Sequence, residues 1–294
     1  MTLAADKAKE STFKDERSPK ISSSSDAGVG ILTQDGALYL ASTLDTTTHT
    51  AHAFKIYIAI HGELNLLMDS HRWRSLNSVV IAPDHPHRVI ATNAIVAVFY
   101  LVPETVEGQK ISKYDDDLDV LSPPQHAVDS IASRLHKIWE QGCCREEAVL
   151  LSIAICEKLL PTPDLNVHFD PRVNSALEYL GTQLDHRVSI AELSSAVSLS
   201  PSRLEHLFSE HVGISISRYS LWIRLRKALE LITRGLSLTE VAHTVGFADS
   251  AHLSRTCRRL LGVAPSTLVQ KIDLHFRPQV AIDVNYEVRG CHGK

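Results

Sequence analysis

The sequence predicts an α+β fold, with a small antiparallel β-barrel in front and an all-helical region behind it. Three observations carry that expectation. Between Gly28 and Val102 short apolar runs alternate with turn residues, as in FKIYIAI, ELNLLM, SVVIAP, HRVIAT and AIVAVFYLV. From Pro123 the period changes to that of helices, and the last hundred residues contain one helical pattern twice.

With 294 residues and 44% apolar composition, the chain can bury two domains with connecting helices. Residues 1–27, charged and Ser-rich, contain no apolar run long enough for a signal peptide or a membrane span, and are expected to be a disordered tail. Five cysteines, including the adjacent Cys143 and Cys144, form no CxxC pair, which favours a reducing compartment such as the cytoplasm. The formal net charge of −4 hides an asymmetry: residues 171–271 carry 12 Lys and Arg against 8 Asp and Glu, or +4, leaving −8 for the rest. A modestly basic module on an acidic one is compatible with phosphate contacts on one face.

The repeat is the strongest signal. VSIAELSSAVSLS from Val188 aligns with LSLTEVAHTVGFA from Leu236, and after one inserted residue Leu204 matches Leu253 and Gly213 matches Gly262. Each copy opens with a capping serine, Ser189 or Ser237, followed three residues on by Glu192 or Glu240, the spacing of a capping box. Ile190, Leu193, Ala196 and Val197 then mark one buried stripe, and Leu238, Val241, Ala242 and Val245 mark its counterpart. Gly246 suits a sharp left-handed turn and Phe247 the plug after it, while Ser198 and Leu199 hold those places in the first copy.

A second helix starts at the cap Ser200, with Pro201 in the first turn, and its counterpart starts at Asp249. Only a few residues separate it from the first, the connection of a helix-turn-helix whose second helix enters the major groove. The positions placed to meet DNA are Ser202, Arg203, Glu205 and His206 in the first copy, and Ser250, Ala251, His252, Ser254 and Arg255 in the second. Arg255 is the best candidate for a bidentate contact with guanine, and Arg258 and Arg259 suit phosphates. Between the copies, ISRYSLWIRLRKALELITRG reads as one long helix that would hold the units about one DNA turn apart.

At residues 170–270 the chain resembles the AraC/XylS family of bacterial regulators. The resemblance is most specific in GFADSAHLSRTCRRLLGVAPS, and continues in RYSLWIRLRKALELI, through Tyr219, Arg224, Ala228 and Leu231, and in SPSRLEHLF. It implies a sequence-specific, double-stranded-DNA-binding transcription regulator, more often an activator, with RNA polymerase as a partner. His206 stands where the family usually has an Arg, and Leu253 and Cys257 replace the usual aromatics. The expected organisation is a tail over 1–27, a cupin-like sensing domain over 28–122, and connecting or dimerisation helices over 123–160. A linker over 161–170, the DNA-binding domain over 171–271 and a tail over 272–294 complete it.

The front half is similar, more loosely, to the cupin-like sensing domains of that family. His49, His52, His85 and His87 are expected to converge at the barrel mouth, with 85 and 87 on one strand face by the two-residue period. Four histidines invite a metal reading. Against it, the spacing is HxxH rather than HxH, and no carboxylate follows the pair, where Phe54, Lys55, Ile56 and Tyr57 stand. These four are therefore expected to line an effector site or else to be purely structural, with no metal, cofactor or catalytic residue, and a cupin-type metalloenzyme with an appended DNA module is the alternative.

PPQHAVDSIASRLHKIWEQ presents one apolar stripe, Val128, Ile131, Ala132, Leu135, Ile138 and Trp139. EEAVLLSIAICEKLL is apolar nearly all round, which predicts partners on two sides, the barrel and a second subunit of a homodimer. Val280, Ile282, Val284, Tyr286 and Val288 alternate with polar or small residues like a strand.

Overall fold

A computed structural model describes residues 28–32, 36–68, 72–114, 120–141, 145–160 and 169–267. The expected tails over 1–27 and 272–294, with the strand-like alternation from Val280, most of the expected linker, and Cys143 and Cys144 lie outside the described residues.

Among the described residues the front half is built from ten strands in two antiparallel sheets. One has the order β1(Gly28–Leu32), β2(Gly36–Ala41), β9(Ile95–Leu101), β4(Phe54–His61), β7(Ser78–Ile81), β10(Val120–Leu121). The other runs β3(Leu44–Asp45), β8(Arg88–Ala91), β5(Leu64–Leu67), β6(Trp73–Leu76). These two ladders replace the single closed barrel of the sequence reading. The central strand β4 explains why FKIYIAI lacks polar alternation. Its Phe54, Ile56 and Ile58 pack toward helices on one face, while Tyr57 enters the layer between the sheets with Leu64, Leu66, Val79 and Val98. A strand covered on both faces reads as a continuous apolar run.

Helix α1(Val106–Tyr114) follows β9, and α2(Gln125–Gln141) and α3(Arg145–Leu159) cover the larger sheet. Val128, Ile131, Leu135 and Ile138 are buried as the stripe predicts. Helix α3 buries Leu151, Ile155 and Leu159, yet leaves Leu150 at 61% and Ile153 at 49% exposure. Its second apolar side is therefore uncovered in the monomer.

The described part of the back half holds six helices, α4(Pro171–Thr182), α5(Ile190–Ala196), α6(Pro201–Val212), α7(Ile216–Thr233), α8(Leu238–Thr244) and α9(Ser250–Leu261). Sequence reading missed α4. Asp170 caps it, accepting from Arg172 N–H at 2.9 Å, and its Val173, Ala176 and Leu180 enter the core of the first unit. That core is continuous through α7 to the second unit, and it also takes in Ala51 and Ala53 of the sheet domain.

Candidate nucleic-acid interface

The local chemistry of the two helical pairs follows the sequence closely. Ser189 Oγ accepts from Glu192 N–H at 3.2 Å, and Ser200 Oγ from Arg203 N–H at 3.3 Å. In the second unit Ser237 Oγ accepts from Glu240 N–H at 3.3 Å, and Asp249 from His252 N–H at 2.6 Å. The two capping boxes are unequal, however. Glu240 returns to the Ser237 N–H at 2.9 Å and closes its box, whereas the Glu192 carboxylate accepts from the Tyr179 hydroxyl of α4 at 2.8 Å. In α5 Ser194 is buried at the place of Ala242, its hydroxyl donating to the Ala191 carbonyl at 3.0 Å, and Ala196 is exposed where the stripe predicted burial. Leu193 and Val197 are buried as the stripe predicts, and Ser194 takes the place expected for Ala196.

Between the helices of each pair the chain takes the left-handed conformation, φ 55° at Ser198 and 69° at Gly246. Gly246 takes it without steric cost, while Ser198 carries a Cβ into it. Arg224 of α7 donates to the Gly246 carbonyl at 3.2 Å, tying the second turn to the linker helix. Phe247 is buried behind that turn and meets the His252 ring edge-on at 5.2 Å.

Helices α6 and α9 keep one face in the core, through Leu204, Leu207 and Phe208 or through Leu253, Thr256 and Cys257. Burial pushes the Cys257 thiol up to about 12, so it behaves as an apolar core atom. The opposite face is open: Ser202, Arg203, Glu205 and His206 are exposed on α6, and Ala251, Arg255, Arg258 and Arg259 on α9. Ser250, His252 and Ser254 are half-buried beside them. A helix with a dry face, a free polar face and basic groups near its end can lie in a major groove and touch phosphates.

A family model described as a helix-turn-helix domain matches residues 193–271. The arabinose operon regulatory protein of Escherichia coli K12 is 35% identical over 125 residues, 40% of this chain and 43% of that protein. The transcriptional activator RhaS of Klebsiella pneumoniae is 24% identical over 198 residues, 67% of this chain and 69% of its own length. Over its back half the chain is similar to helix-turn-helix transcription regulators of this kind. It spans less than half the length of the arabinose regulators it matches. Among solved structures, an apo variant of ToxT from Vibrio cholerae superposes with a TM-score of 0.57 at 12% identity, covering 82% of this chain and 98% of that one. Its fold therefore extends through both halves.

The four histidines do not converge: His49 and His87 share one place and His52 another. His85 lies just before β8, not on a strand face with His87, and bonds to His87 through its carbonyl. His49 and His87 meet: their backbones exchange hydrogen bonds at 3.0 and 3.2 Å, and their ring centroids are 4.4 Å apart. The His85 carbonyl accepts from His87 Nδ1 at 2.8 Å, leaving Nε2 to accept from the Tyr57 hydroxyl at 3.1 Å and the Lys55 amine at 3.2 Å. Burial, then the nearby Lys55 charge, lowers His49 to about 3 and His87 to about 2, and burial pulls Lys55 well below its ordinary value. Both rings are therefore neutral at pH 7. Lys55 and Tyr57 lie on the same face of β4 by its two-residue period, and that period is the sequence signal that places both beside the histidines.

His52 stands apart from that pair. Its Nδ1 donates to Asp84 and its Nε2 to Glu104, each at 2.7 Å, so both ring nitrogens carry protons. Burial opposes the charge, but the two carboxylates hold it up at about 9. Asp84 also accepts from Arg218 of α7 at 2.7 Å, which links the sheet domain to the helical one. Among the described residues no group of three His, Cys, Asp or Glu is arranged to hold a metal ion. No helix of the described residues is long and apolar enough to cross a membrane.

Proposed function

We propose that this chain is a cytoplasmic transcription regulator, more often activating than repressing, that reads double-stranded DNA with α6 and α9. The observation that carries the reading is the pair of equivalent helices whose polar faces are open while their apolar faces share one core. Arg255 contacts guanine; Ser202, Arg203, Glu205, His206, Ser250, Ala251, His252 and Ser254 contribute the remaining groove contacts, and Arg258 and Arg259 hold phosphates. The exposed Leu150 and Ile153 of α3 support a homodimer through that helix. RNA polymerase is the partner that activation requires.

The two-sheet domain is read as a cupin-like sensor of a small molecule near His49, His52, His85 and His87. A ToxT structure is described with a bound unsaturated fatty acid, which supports a sensing role for this fold. In this chain a small cleft lies between Tyr57 and Tyr100 of the sheets and Leu261 and Val263 of the helical domain, with the Tyr57 hydroxyl bonded to His87. None of the four histidines lines that cleft, which reaches them only through the Tyr57–His87 hydrogen bond. The metalloenzyme alternative gains no support from the placement of the histidines, which bond to carbonyls, carboxylates, Lys55 and Tyr57. Selection of bound sequences from random DNA tests the function: recovery of a two-part site is expected, and absence of any enriched sequence would overturn it.

A further inference from the structure

The cap glycines of the two recognition helices, Gly213 and Gly262, are equivalent in the repeat and share a left-handed backbone, φ 82° and 78°. Their surroundings are not equivalent. A Cβ added at Gly213 would meet nothing within 4 Å, whereas one at Gly262 would lie 2.6 Å from His49 Nδ1 and 2.7 Å from the Thr46 Cβ. The Gly262 carbonyl accepts from the Thr47 N–H at 2.9 Å and from its hydroxyl at 3.3 Å, and the Arg259 carbonyl accepts from the Thr50 N–H at 3.2 Å. A helix runs out of its own donors at the C-terminal end, so these carbonyls need outside partners. The sheet domain supplies them to α9.

The same stretch of the sheet domain holds a second point. Arg218 lies in the first turn of α7, just after the first unit ends at Gly213, and donates to Asp84. Asp84 in turn accepts from His52, whose other nitrogen is held by Glu104, and the Asp84 N–H donates to the Ala51 carbonyl at 2.8 Å. Ala51 and Ala53 pack into the helical core between these anchors. The segment thus bridges the exit of the first unit and the end of the second.

We propose that residues 46–52, together with Asp84, form a positioning element that fixes the separation of the two recognition helices. This rests on the DNA-binding reading above. Inserting one base pair between two half-sites turns and shifts one of them relative to the other, since a DNA turn holds about 10 base pairs. A protein whose helices are held at both ends cannot follow that displacement, whereas one released from the sheet domain can. The positioning element therefore sets tolerance to half-site spacing and leaves base preference within each half-site unchanged.

The experiment measures binding of the full chain to its selected operator and to the same operator with one base pair inserted between the half-sites. In the unsubstituted protein the insertion is expected to weaken binding about tenfold or more. Gly262→Ala, which cannot seat against His49, is expected to reduce that penalty to about threefold or less. Gly213→Ala imposes the same left-handed cost on the other cap without touching the sheet domain, and keeps the full penalty. Asp84→Asn removes the ionic anchor at a position, φ 63°, that asparagine readily occupies, and gives a second reading should Gly262→Ala fail to fold. Equal penalties in all four proteins would overturn the proposal, as would Gly213→Ala relaxing as much as Gly262→Ala. Binding of the unsubstituted chain that needs only one half-site would overturn the two-unit reading itself.

Discussion

The two helix-turn-helix units of this chain are built from one pattern and supported in different ways. The first leans on its own neighbours: α4 packs beneath it, and Tyr179 takes the Glu192 carboxylate that would otherwise close the capping box. The second has the better local chemistry, with a closed box, glycine in its turn, a buried phenylalanine plug and an arginine on the turn carbonyl. It is also the unit that the sheet domain grips at its end. A repeat therefore does not imply equal roles. The unit with Arg255 is the one held most firmly, which suits the one expected to read guanine.

Four measurements would break or sharpen this contrast. The largest effect is expected from the plugs. Phe247→Ala empties a buried site and should lower stability by about 3–5 kcal/mol in urea unfolding, against about 1–2 kcal/mol for the half-buried Leu199→Ala. Equal losses would deny the second unit its stronger packing.

Next comes the ionic link between the domains. The ordinary imidazole value is 6.5 and the folded value of His52 is about 9, so its charge favours the folded, docked state. That contribution is complete below pH 6.5 and is lost as pH rises through about 9. It amounts to on the order of 3 kcal/mol between those limits. Unfolding midpoints measured from pH 6 to pH 9.5 should fall accordingly in the unsubstituted chain, and His52→Gln should flatten the profile. A profile unaltered by that substitution would place the pH dependence elsewhere.

On DNA, Arg255→Ala should remove guanine preference at one position and weaken binding on the order of tenfold to a hundredfold. His206→Ala should cost less and, if the histidine meets a phosphate, should weaken all sequences alike with a shallower salt slope. Competition binding at several salt concentrations separates the two patterns.

The smallest effect concerns the turns. Ser198→Gly should stabilise the first unit by about 0.5–1 kcal/mol by relieving the left-handed conformation, and Gly246→Ser should destabilise the second by a similar amount. Two substitutions that shift the unfolding midpoint in the same direction would contradict this.

Much of the helical half is legible in the sequence. Ser189, Ser200, Ser237 and Asp249 cap helices as their spacing predicts, because a cap involves only the next three residues of chain. Helix α4 carries a start signal in Asp170 and Pro171 but has no counterpart in the second copy, so the repeat does not mark it. The front half was less legible. His49, His52, His85 and His87 were expected to converge at one mouth, yet His52 bonds to Asp84 and Glu104, apart from His49 and His87.

The sequence by itself determined the local elements, the repeat, the open faces of α6 and α9, and the chemical inequality of His206 and Arg255. These follow from caps, periodicity and residue type, each a property of a few neighbouring positions. Only the tertiary structure decided that two sheets and not one closed barrel form the front half, and that its Thr47 meets Gly262 across 215 residues. That contact is made largely by backbone N–H and carbonyl groups, which nearly every residue carries. Such groups leave no mark in the side-chain pattern until folding brings the ends of the chain's two domains together.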